Sequence, residues 1–177
     1  MSTFPDLHGA VRTVPDFPKK GIMFRDITTL LKDGAALRRA LDLMEEHYRG
    51  KGIDKVVGVE SRGFILGGAL AARLGAGFVP VRKPGKLPAP AIRETYELEY
   101  GTDTVEVHAD AIARGEKILM HDDLLATGGT MRAACRLVER LGGVIVGISF
   151  LIELPALKGR ACLAPREVFS LLSFEGD

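Results

Sequence analysis

Residues 118–130, ILMHDDLLATGGT, decide the fold and raise a question about charge. Three apolar residues run into a histidine, two adjacent aspartates follow, and a Thr-Gly-Gly-Thr turn comes last. A short apolar run bounded by turn residues predicts a buried strand over residues 117–120. Apolar residues on one face over residues 130–141 predict a helix that Gly142 and Gly143 end. The stretch is therefore a strand–turn–helix unit that places two like charges at the end of a buried strand.

The same alternation of strands and helices continues outward along the chain. Apolar residues recur at helical spacing over residues 37–48, with Asp33 as the N-cap. The other predicted elements are strands over residues 55–59, 78–81 and 144–154 and a helix over residues 64–74. This alternation predicts an α/β fold, a mostly parallel twisted sheet flanked by helices.

Residues 82–94, RKPGKLPAPAIRE, interrupt the alternation because they combine several prolines with several basic residues. Such a composition predicts a long loop, and long loops in compact domains are usually functional or disordered. Residues 95–100 and 104–108 then alternate around residues 101–103, which predicts a hairpin.

Composition limits the classes of function. A length of 177 residues predicts one domain, residues 1–177, with a sizeable core. The formal net charge is +1, so no global field favours nucleic acid or a membrane as partner. The longest apolar stretch, residues 144–152, is too short to cross a bilayer, and the first residues show no secretory signal. Cys135 and Cys162 lack metal-ligand or redox spacing, so we expect buried thiols in a cytoplasmic protein.

Residues 121–130 lie where ligands bind in such folds, beyond the carboxyl ends of parallel strands. Glycines allow a tight turn whose backbone N–H groups point inward, and the following helix N-terminus adds unused N–H groups and partial positive charge. With the hydroxyls of Thr127 and Thr130 as further donors, the turn suits a phosphate monoester. The nucleotide P-loop pattern GxxxxGK[ST] is absent.

Asp122 and Asp123 have two explanations. Two carboxylates before a phosphate site can accept hydrogen bonds from vicinal hydroxyls, as on a ribose, or hold hydrated Mg²⁺ near a second phosphate. Alternatively, they form an ordinary polar turn with a solvated charge pair. The glycine–threonine turn and the strand–loop–helix context favour the binding role.

Residues 122–130 resemble the signature of the type I phosphoribosyltransferases, which bind 5-phosphoribosyl-1-diphosphate (PRPP). The Leu-Leu-Ala between the acids and the glycines is similar to the adenine-specific members. The resemblance implies the type I phosphoribosyltransferase fold, with an N-terminal hood over residues 1–32 and a flexible loop and hairpin over residues 82–108. It also implies that PRPP or AMP is bound by Asp122, Asp123, Ala126, Thr127, Gly128, Gly129 and Thr130.

His121 departs from the pattern, in which a hydrophobic residue is expected. We expect a histidine at a strand end whose hydrogen bonds are satisfied. A role as metal ligand is the alternative.

Glu60-Ser61-Arg62-Gly63 follows the predicted strand over residues 55–59, so it should lie beside the aspartates. Read alone it is a weak signal, and a surface salt bridge explains it equally well. Here it is similar to the diphosphate loop of the family, which implies that Ser61 and Arg62 contact the diphosphate. Arg82 and Lys83 would lie near the diphosphate too, one of them reaching a neighbouring subunit.

Residues 17–27, FPKKGIMFRDI, would by default be explained by packing. They are similar to the hood of the adenine-specific members, which implies that Phe24 stacks on the purine, the Arg25 backbone reads its edge and Met23 lies nearby. Leu154, after the last long strand, would close the other face of the base. A 6-oxopurine would leave the groups that read adenine unpaired, at about 1–3 kcal/mol per buried group.

Residues 82–100 are similar to the flexible catalytic loop of the same family, which closes over a diphosphate and excludes water. The resemblance implies that Glu99 exchanges a proton with the purine. Alternatively, Glu97 and Glu99 are solvated positions of an alternating strand.

The implied reaction is adenine plus PRPP giving AMP and pyrophosphate, with Glu99 and Arg62 as catalytic residues. The implied cofactor is Mg²⁺, carried by PRPP and bound to Asp122 or Asp123 only through water. The resemblance further implies a homodimer without nucleic-acid or membrane partners. Two alternatives stay open: a non-catalytic PRPP-binding regulator, and a phosphoribosyltransferase for another purine base.

Overall fold

The computed structural model describes residues 4–98 and 101–175. The helices are α1 (Pro5–Ala10), α2 (Thr28–Lys32), α3 (Gly34–Tyr48), α4 (Gly63–Leu74), α5 (Gly129–Arg140) and α6 (Gly159–Leu163). The strands are β1 (Arg12–Pro15), β2 (Met23–Asp26), β3 (Lys55–Val59), β4 (Gly77–Val81), β5 (Ala91–Leu98), β6 (Gly101–His108), β7 (Lys117–Leu125), β8 (Val144–Glu153) and β9 (Val168–Ser173). Within the described ranges, no helix has the length and apolar character that a membrane span requires.

Five strands form a parallel sheet in the order β4-β3-β7-β8-β9. Successive residues of β7 point to opposite faces of this sheet. Met120 is buried in the cluster that contains α5, whereas Leu119 is buried in the cluster that contains α3 and α4. Helices therefore cover both faces, and the predicted α/β fold is confirmed.

The N-terminal segment forms a separate two-stranded antiparallel sheet of β1 and β2, beside α1 and α2. Its Leu7 and Leu30 are fully buried in the same hydrophobic cluster as residues of α3 and α4. Asp33 caps α3 as predicted, because its side chain accepts hydrogen bonds from the N–H groups of Ala35 and Ala36. The segment is thus fixed on one face of the central sheet.

Strands β5 and β6 form the predicted hairpin, with different bounds. β5 begins at Ala91, opposite His108 of β6, so residues 91–94 belong to a strand and not to the predicted loop. Gly101 opens β6, so residues 101–103 are strand and not the predicted turn. The cross-strand pairing sets these bounds, and a local pattern does not reveal it.

Strand β7 is longer than predicted. It runs through Asp122 and Asp123 to Leu125 because β8 continues beside it, with Leu124 opposite Ile152. The aspartates therefore lie inside a paired strand, which fixes their backbone.

Candidate active site

A small cavity lies at the N-terminus of α5, at the carboxyl end of β7. Gly128 has a positive φ of 83°, and α5 begins at the next residue. The first hydrogen bond of the helix runs from the Arg132 N–H to the Gly128 carbonyl oxygen at 2.9 Å, so the N–H groups of residues 129–131 are not used within the helix. These donors and the positive helix end suit an anion. The cavity of about 100 Å³ is lined by Asp122, Leu124, Leu125, Ala126, Thr127, Gly128, Gly129, Thr130, Met131 and Phe150.

Asp122 and Asp123 form a coupled pair beside this cavity. Asp123 is only 4% exposed, and Asp122 lines the cavity wall. The Asp122 Oδ1 atom accepts a hydrogen bond from the Asp123 N–H at 2.9 Å. Burial raises the pKa of both carboxyls, and the charge of Asp123 raises the pKa of Asp122 further. The pair therefore favours a nearby cation or hydrogen-bond donors.

Arg62 supplies that cation. Its Nε atom lies 2.9 Å from Asp123 Oδ2, in an ion pair that lowers the pKa of both aspartates against the effect of burial. Its guanidinium carbon lies 5.3 Å from the ring centroid of Phe24 in the hood. Gly63 follows at the start of α4, where a Cβ atom would lie 2.8 Å from Asp122 Oδ1. Residues 60–63 are thus brought against both the aspartates and the hood.

Glu60 holds three basic residues of the segment that follows β4, residues 82–86, beside residues 60–63. Its carboxylate accepts hydrogen bonds from the Lys83 N–H at 2.9 Å, from Arg82 Nε at 3.4 Å and from Lys86 Nζ at 2.6 Å. Burial acts to raise the pKa of Glu60, but these donors outweigh it and lower the pKa to about 2. Arg82 and Lys83 therefore lie next to the exposed Ser61. The sequence predicts no role for Glu60, because its partners are more than twenty residues away.

The hood presents its aromatic side chains near Arg62. Phe24 is half-buried and packs edge-on against Phe17 at 5.0 Å between ring centroids, and Met23 is 38% exposed. Arg25 is 9% exposed and donates a hydrogen bond to Thr13 Oγ1 at 2.5 Å, which ties β2 to β1. Leu154 follows β8, and its N–H donates to the Leu125 carbonyl oxygen at 3.0 Å, so it is held at the end of β7.

Three comparisons identify the family. The phosphoribosyl transferase domain family matches residues 26–172. The adenine phosphoribosyltransferase of Geotalea daltonii is 59% identical over 169 residues, which cover 96% of this chain and 99% of that protein. The crystal structure of adenine phosphoribosyltransferase from Rhodothermus marinus matches with a TM-score of 0.92 and 55% identity, covering 97% of this chain and 98% of that one. The chain belongs to the adenine phosphoribosyltransferase family.

A further crystal structure shows the same fold with ligands. The adenine phosphoribosyltransferase of Saccharomyces cerevisiae, complexed with D-2,5-dideoxy-2,5-imino-altritol 1,6-bisphosphate and adenine, matches with a TM-score of 0.89 and 41% identity. It covers 95% of this chain and 97% of that one. Family membership confirms the predicted type I phosphoribosyltransferase fold and the predicted pentosyltransferase of purine salvage.

Residues 126–130, here called the cradle, form the second part of the segment that resembles the family signature. The start of α6 packs against them from behind. A Cβ atom on Gly159 would lie 2.3 Å from the Ala126 carbonyl oxygen and 2.7 Å from Leu125 Cδ1. A Cβ atom on Gly128 would lie 2.9 Å from the Gly159 carbonyl oxygen. The two backbones touch where only glycine fits. The sequence predicts no role for Gly159, since a glycine at a short helix carries no signal until its neighbour in space is known.

Glu99, predicted to be catalytic, lies outside the described residues. Strand β5, which ends at Leu98, does reach the site, because the Tyr96 hydroxyl lies 2.9 Å from Thr130 Oγ1 of the cradle. Glu97 is exposed. The role of Glu99 stays a prediction.

The prediction of a satisfied histidine at position 121 is wrong. His121 is fully buried, and neither ring nitrogen has a hydrogen-bond partner among the described residues. Burial lowers the pKa of His121 to about 4, and the Ser149 backbone, which acts in the opposite direction, does not offset it. In the described ranges no group of three or more His, Cys, Asp or Glu side chains could hold a metal ion, so nothing supports the alternative of a metal ligand.

His121→Val is expected to remove a pH dependence of stability. The unfolded chain takes up a proton at this residue below pH 6.5, whereas the folded protein does so only below about 4. The unfolded state therefore binds more protons in this window, and the wild-type free energy of unfolding falls as the pH decreases through it. The expected loss from His121 is about 2 kcal/mol between neutral pH and pH ~5.

Urea unfolding of both proteins at pH ~7.5 and pH ~5 measures this difference. Asp122 and Asp123 titrate in both proteins, so the difference between wild type and variant isolates the histidine. Equal pH dependence of the free energy of unfolding in the two proteins would show that burial does not lower the pKa of the His121 imidazole in the folded state.

Proposed function

We propose that the residues described above transfer the 5-phosphoribosyl group from PRPP to adenine, giving AMP and pyrophosphate in purine salvage. One observation carries the assignment of roles: Arg62 contacts Asp123 of β7 and Phe24 of the hood at the same time. The sugar site, the diphosphate site and the base site therefore meet around one guanidinium. We further propose one phosphoribosyltransferase domain over residues 1–177.

The cradle and the aspartates are proposed to hold the ribose 5-phosphate part. Backbone N–H groups of residues 129–131 and the hydroxyls of Thr127 and Thr130 would surround the 5′-phosphate. Asp122 and Asp123 would accept hydrogen bonds from the two ribose hydroxyls. This arrangement supports an explanation for the two adjacent like charges in a buried strand. The aspartates would bind the sugar, and the glycine turn would bind its phosphate.

The diphosphate is proposed to lie against Ser61, Arg62, Arg82 and Lys83. Glu60 supports this site because it holds Arg82 and the Lys83 backbone beside residues 60–63. The described residues contain no cluster of three metal-binding side chains, while Asp122 and Asp123 offer the oxygen donors that Mg²⁺ takes through water. Mg²⁺ carried by PRPP fits this donor set, and it would supply neutralisation of diphosphate charge.

Adenine is proposed to stack on Phe24, with Met23 and the Arg25 backbone at its edge and Leu154 on its other face. The pairing of β2 with β1 supports this role, because it holds the backbone of β2 rigid. A rigid backbone rejects the wrong purine, since binding that purine would leave backbone polar groups without hydrogen-bond partners. In the reaction the adenine ring nitrogen bonds to the ribose C1 atom while the C1–O bond to the diphosphate breaks. Positive charge on the ribose then lies near Asp122 and Asp123, and negative charge on the diphosphate lies near Arg62.

Glu99 is proposed to accept the proton that adenine loses. Its carboxylate would act as general base within the flexible loop. We also propose a cytoplasmic homodimer. The free thiols of Cys135 and Cys162 support a reducing compartment.

The test is nucleotide formation from PRPP, Mg²⁺ and one radiolabelled base at a time: adenine, hypoxanthine or guanine. We expect AMP from adenine and at least about 100-fold less product from the 6-oxopurines, because the groups that read the amino edge would be left unpaired. Comparable rates with hypoxanthine or guanine would overturn the base assignment. PRPP binding without any product would indicate a non-catalytic regulator.

A further inference from the structure

Phe174 connects the hood to the end of strand β8. It directly follows β9 and is only 5% exposed. Its N–H donates a hydrogen bond to the Glu153 carbonyl oxygen at 3.0 Å. Its ring centroid lies 4.6 Å from the guanidinium carbon of Arg25 in β2. Because Glu153 is the residue before Leu154, Phe174 is bonded beside one wall of the proposed base site and packs on the strand that forms the other.

Two side chains of the hood meet the Phe174 ring. The first is the Arg25 guanidinium, and a cation over an aromatic face is held most strongly where it is removed from water. Arg25 meets that condition because it is only 9% exposed. The second is the His8 ring of α1, which stacks on Phe174 with the ring centroids 3.9 Å apart and the planes at 22°. Since Arg25 also donates to Thr13 Oγ1, the contact with Phe174 holds β1 as well as β2.

The sheet of β1 and β2 depends on such side-chain contacts for its position. Among residues 4–98 and 101–175, it has no strand partner in the five-stranded sheet. No ladder of backbone hydrogen bonds therefore fixes the distance between β2 and Leu154. Packing has to set that distance, and Phe174 lies where the two parts of the molecule meet.

We propose that Phe174 is a positioning residue for adenine, which sets the distance between β2 of the hood and Leu154 and so the selectivity for the base. This inference rests on the proposed placement of adenine between the hood and Leu154. Stacking on the base and recognition of its edge both require accurate placement, so a hood held less firmly binds adenine more weakly. The ribose 5-phosphate part lies at the cradle and the aspartates, and its binding does not depend on Phe174.

Phe174→Leu tests the proposal, because leucine keeps an apolar side chain at this buried position and removes the aromatic ring. In calorimetric titrations the dissociation constant of adenine is expected to rise about tenfold, within the range that a lost cation–π contact and a misplaced binding group cost. The dissociation constant of ribose 5-phosphate is expected to stay at the wild-type value. A merely structural role would weaken the binding of both ligands together, and that result would overturn the inference.

Kinetics of the same variant test the effect on selectivity. The KM for adenine should rise while the KM for PRPP stays unchanged. The ratio of kcat/KM for adenine to kcat/KM for hypoxanthine should fall about tenfold, because adenine loses contacts that hypoxanthine does not make. An unchanged ratio would contradict the role of Phe174 in selectivity.

Two further variants serve as controls for the loss of an aromatic ring. Phe174→Tyr keeps the ring and should restore the wild-type affinity for adenine. Phe169→Leu is the matched control, since Phe169 of β9 also stacks on a histidine, with ring centroids 4.0 Å apart, but this partner is His47 of α3 and not of the hood. It should keep wild-type affinity for adenine. An equal loss of affinity in Phe169→Leu would show a general effect of packing and overturn the inference.

A double variant tests whether Phe174 acts through Arg25. Arg25→Met removes the guanidinium from the ring but keeps the backbone that is proposed to read the base. In this background Phe174→Leu should cause little further loss of adenine affinity, whereas additive effects of the two substitutions would overturn the inference. A wild-type protein that binds adenine but forms no AMP would contradict the proposed function, and the adenine affinities would still decide the role of Phe174.

Discussion

Gly159→Ala is expected to lower kcat/KM for AMP formation by about 100-fold, although the residue contacts no substrate in the proposed mechanism. The new Cβ atom would lie 2.3 Å from the Ala126 carbonyl oxygen, roughly 1 Å closer than non-bonded atoms approach. The obstacle is backbone and cannot rotate away, so residues 126–130 must move. A displacement of this size at a site that binds a phosphate by fixed N–H groups costs about two orders of magnitude in rate.

Gly34→Ala is the matched control for this variant. Gly34 is the first residue of α3 as Gly159 is the first residue of α6, but a Cβ atom on Gly34 would meet no neighbouring atom within 4 Å. It should keep wild-type kinetics. In Gly159→Ala, AMP binding by calorimetry should weaken while adenine binding persists, which separates a displaced cradle from general unfolding. Wild-type AMP affinity in Gly159→Ala would mean that α6 moves and the cradle does not.

Elements that depend on local pattern could be predicted from the sequence. Residues 55–59 form β3 with the predicted bounds, because a short β-branched and apolar run between polar turns specifies a buried strand without outside help. The helix predicted over residues 64–74 begins one residue earlier, and Asp33 caps α3 as its side-chain chemistry requires. The glycine–threonine turn also predicted the helix α5 that follows it.

What could not be predicted depends on pairs of residues that are distant in sequence. The extension of β7 through the aspartates follows from the length of β8, which lies about twenty residues further on. The tight packing of Gly159 on Ala126 and the bond of Tyr96 to Thr130 have no periodicity or composition of their own. The outcome at His121 is the opposite. A polar residue in an apolar strand suggested a hydrogen-bond partner, but the described residues provide none for either ring nitrogen.

Arg62→Ala is expected to lower kcat/KM by about 10²–10³ and to shift the acid limb of the pH–rate profile to higher pH. The expected loss in rate has two sources, the missing donor to the diphosphate in the proposed mechanism and the missing partner of Asp123, whose side chain is 6% exposed. The shift of the acid limb to higher pH arises only from the missing partner of Asp123. Burial raises the pKa of both aspartates and Arg62 lowers it, so removing the guanidinium raises the pKa of the pair further. Protonation would then begin at a higher pH and remove the acceptors for the ribose hydroxyls.

AMP binding separates the two sources, because AMP carries the ribose and the 5′-phosphate but no diphosphate. Titrations between about pH 5 and pH 9 should show that the affinity of Arg62→Ala for AMP declines at a higher pH than that of wild type. Arg82→Ala is the control, since Arg82 pairs with Glu60 and does not contact the aspartates. It should lower the rate with PRPP but keep the wild-type pH dependence of AMP binding. If both variants keep that dependence, the aspartates are held ionised by the hydrogen bonds within β7, and the ion pair with Arg62 serves the diphosphate alone.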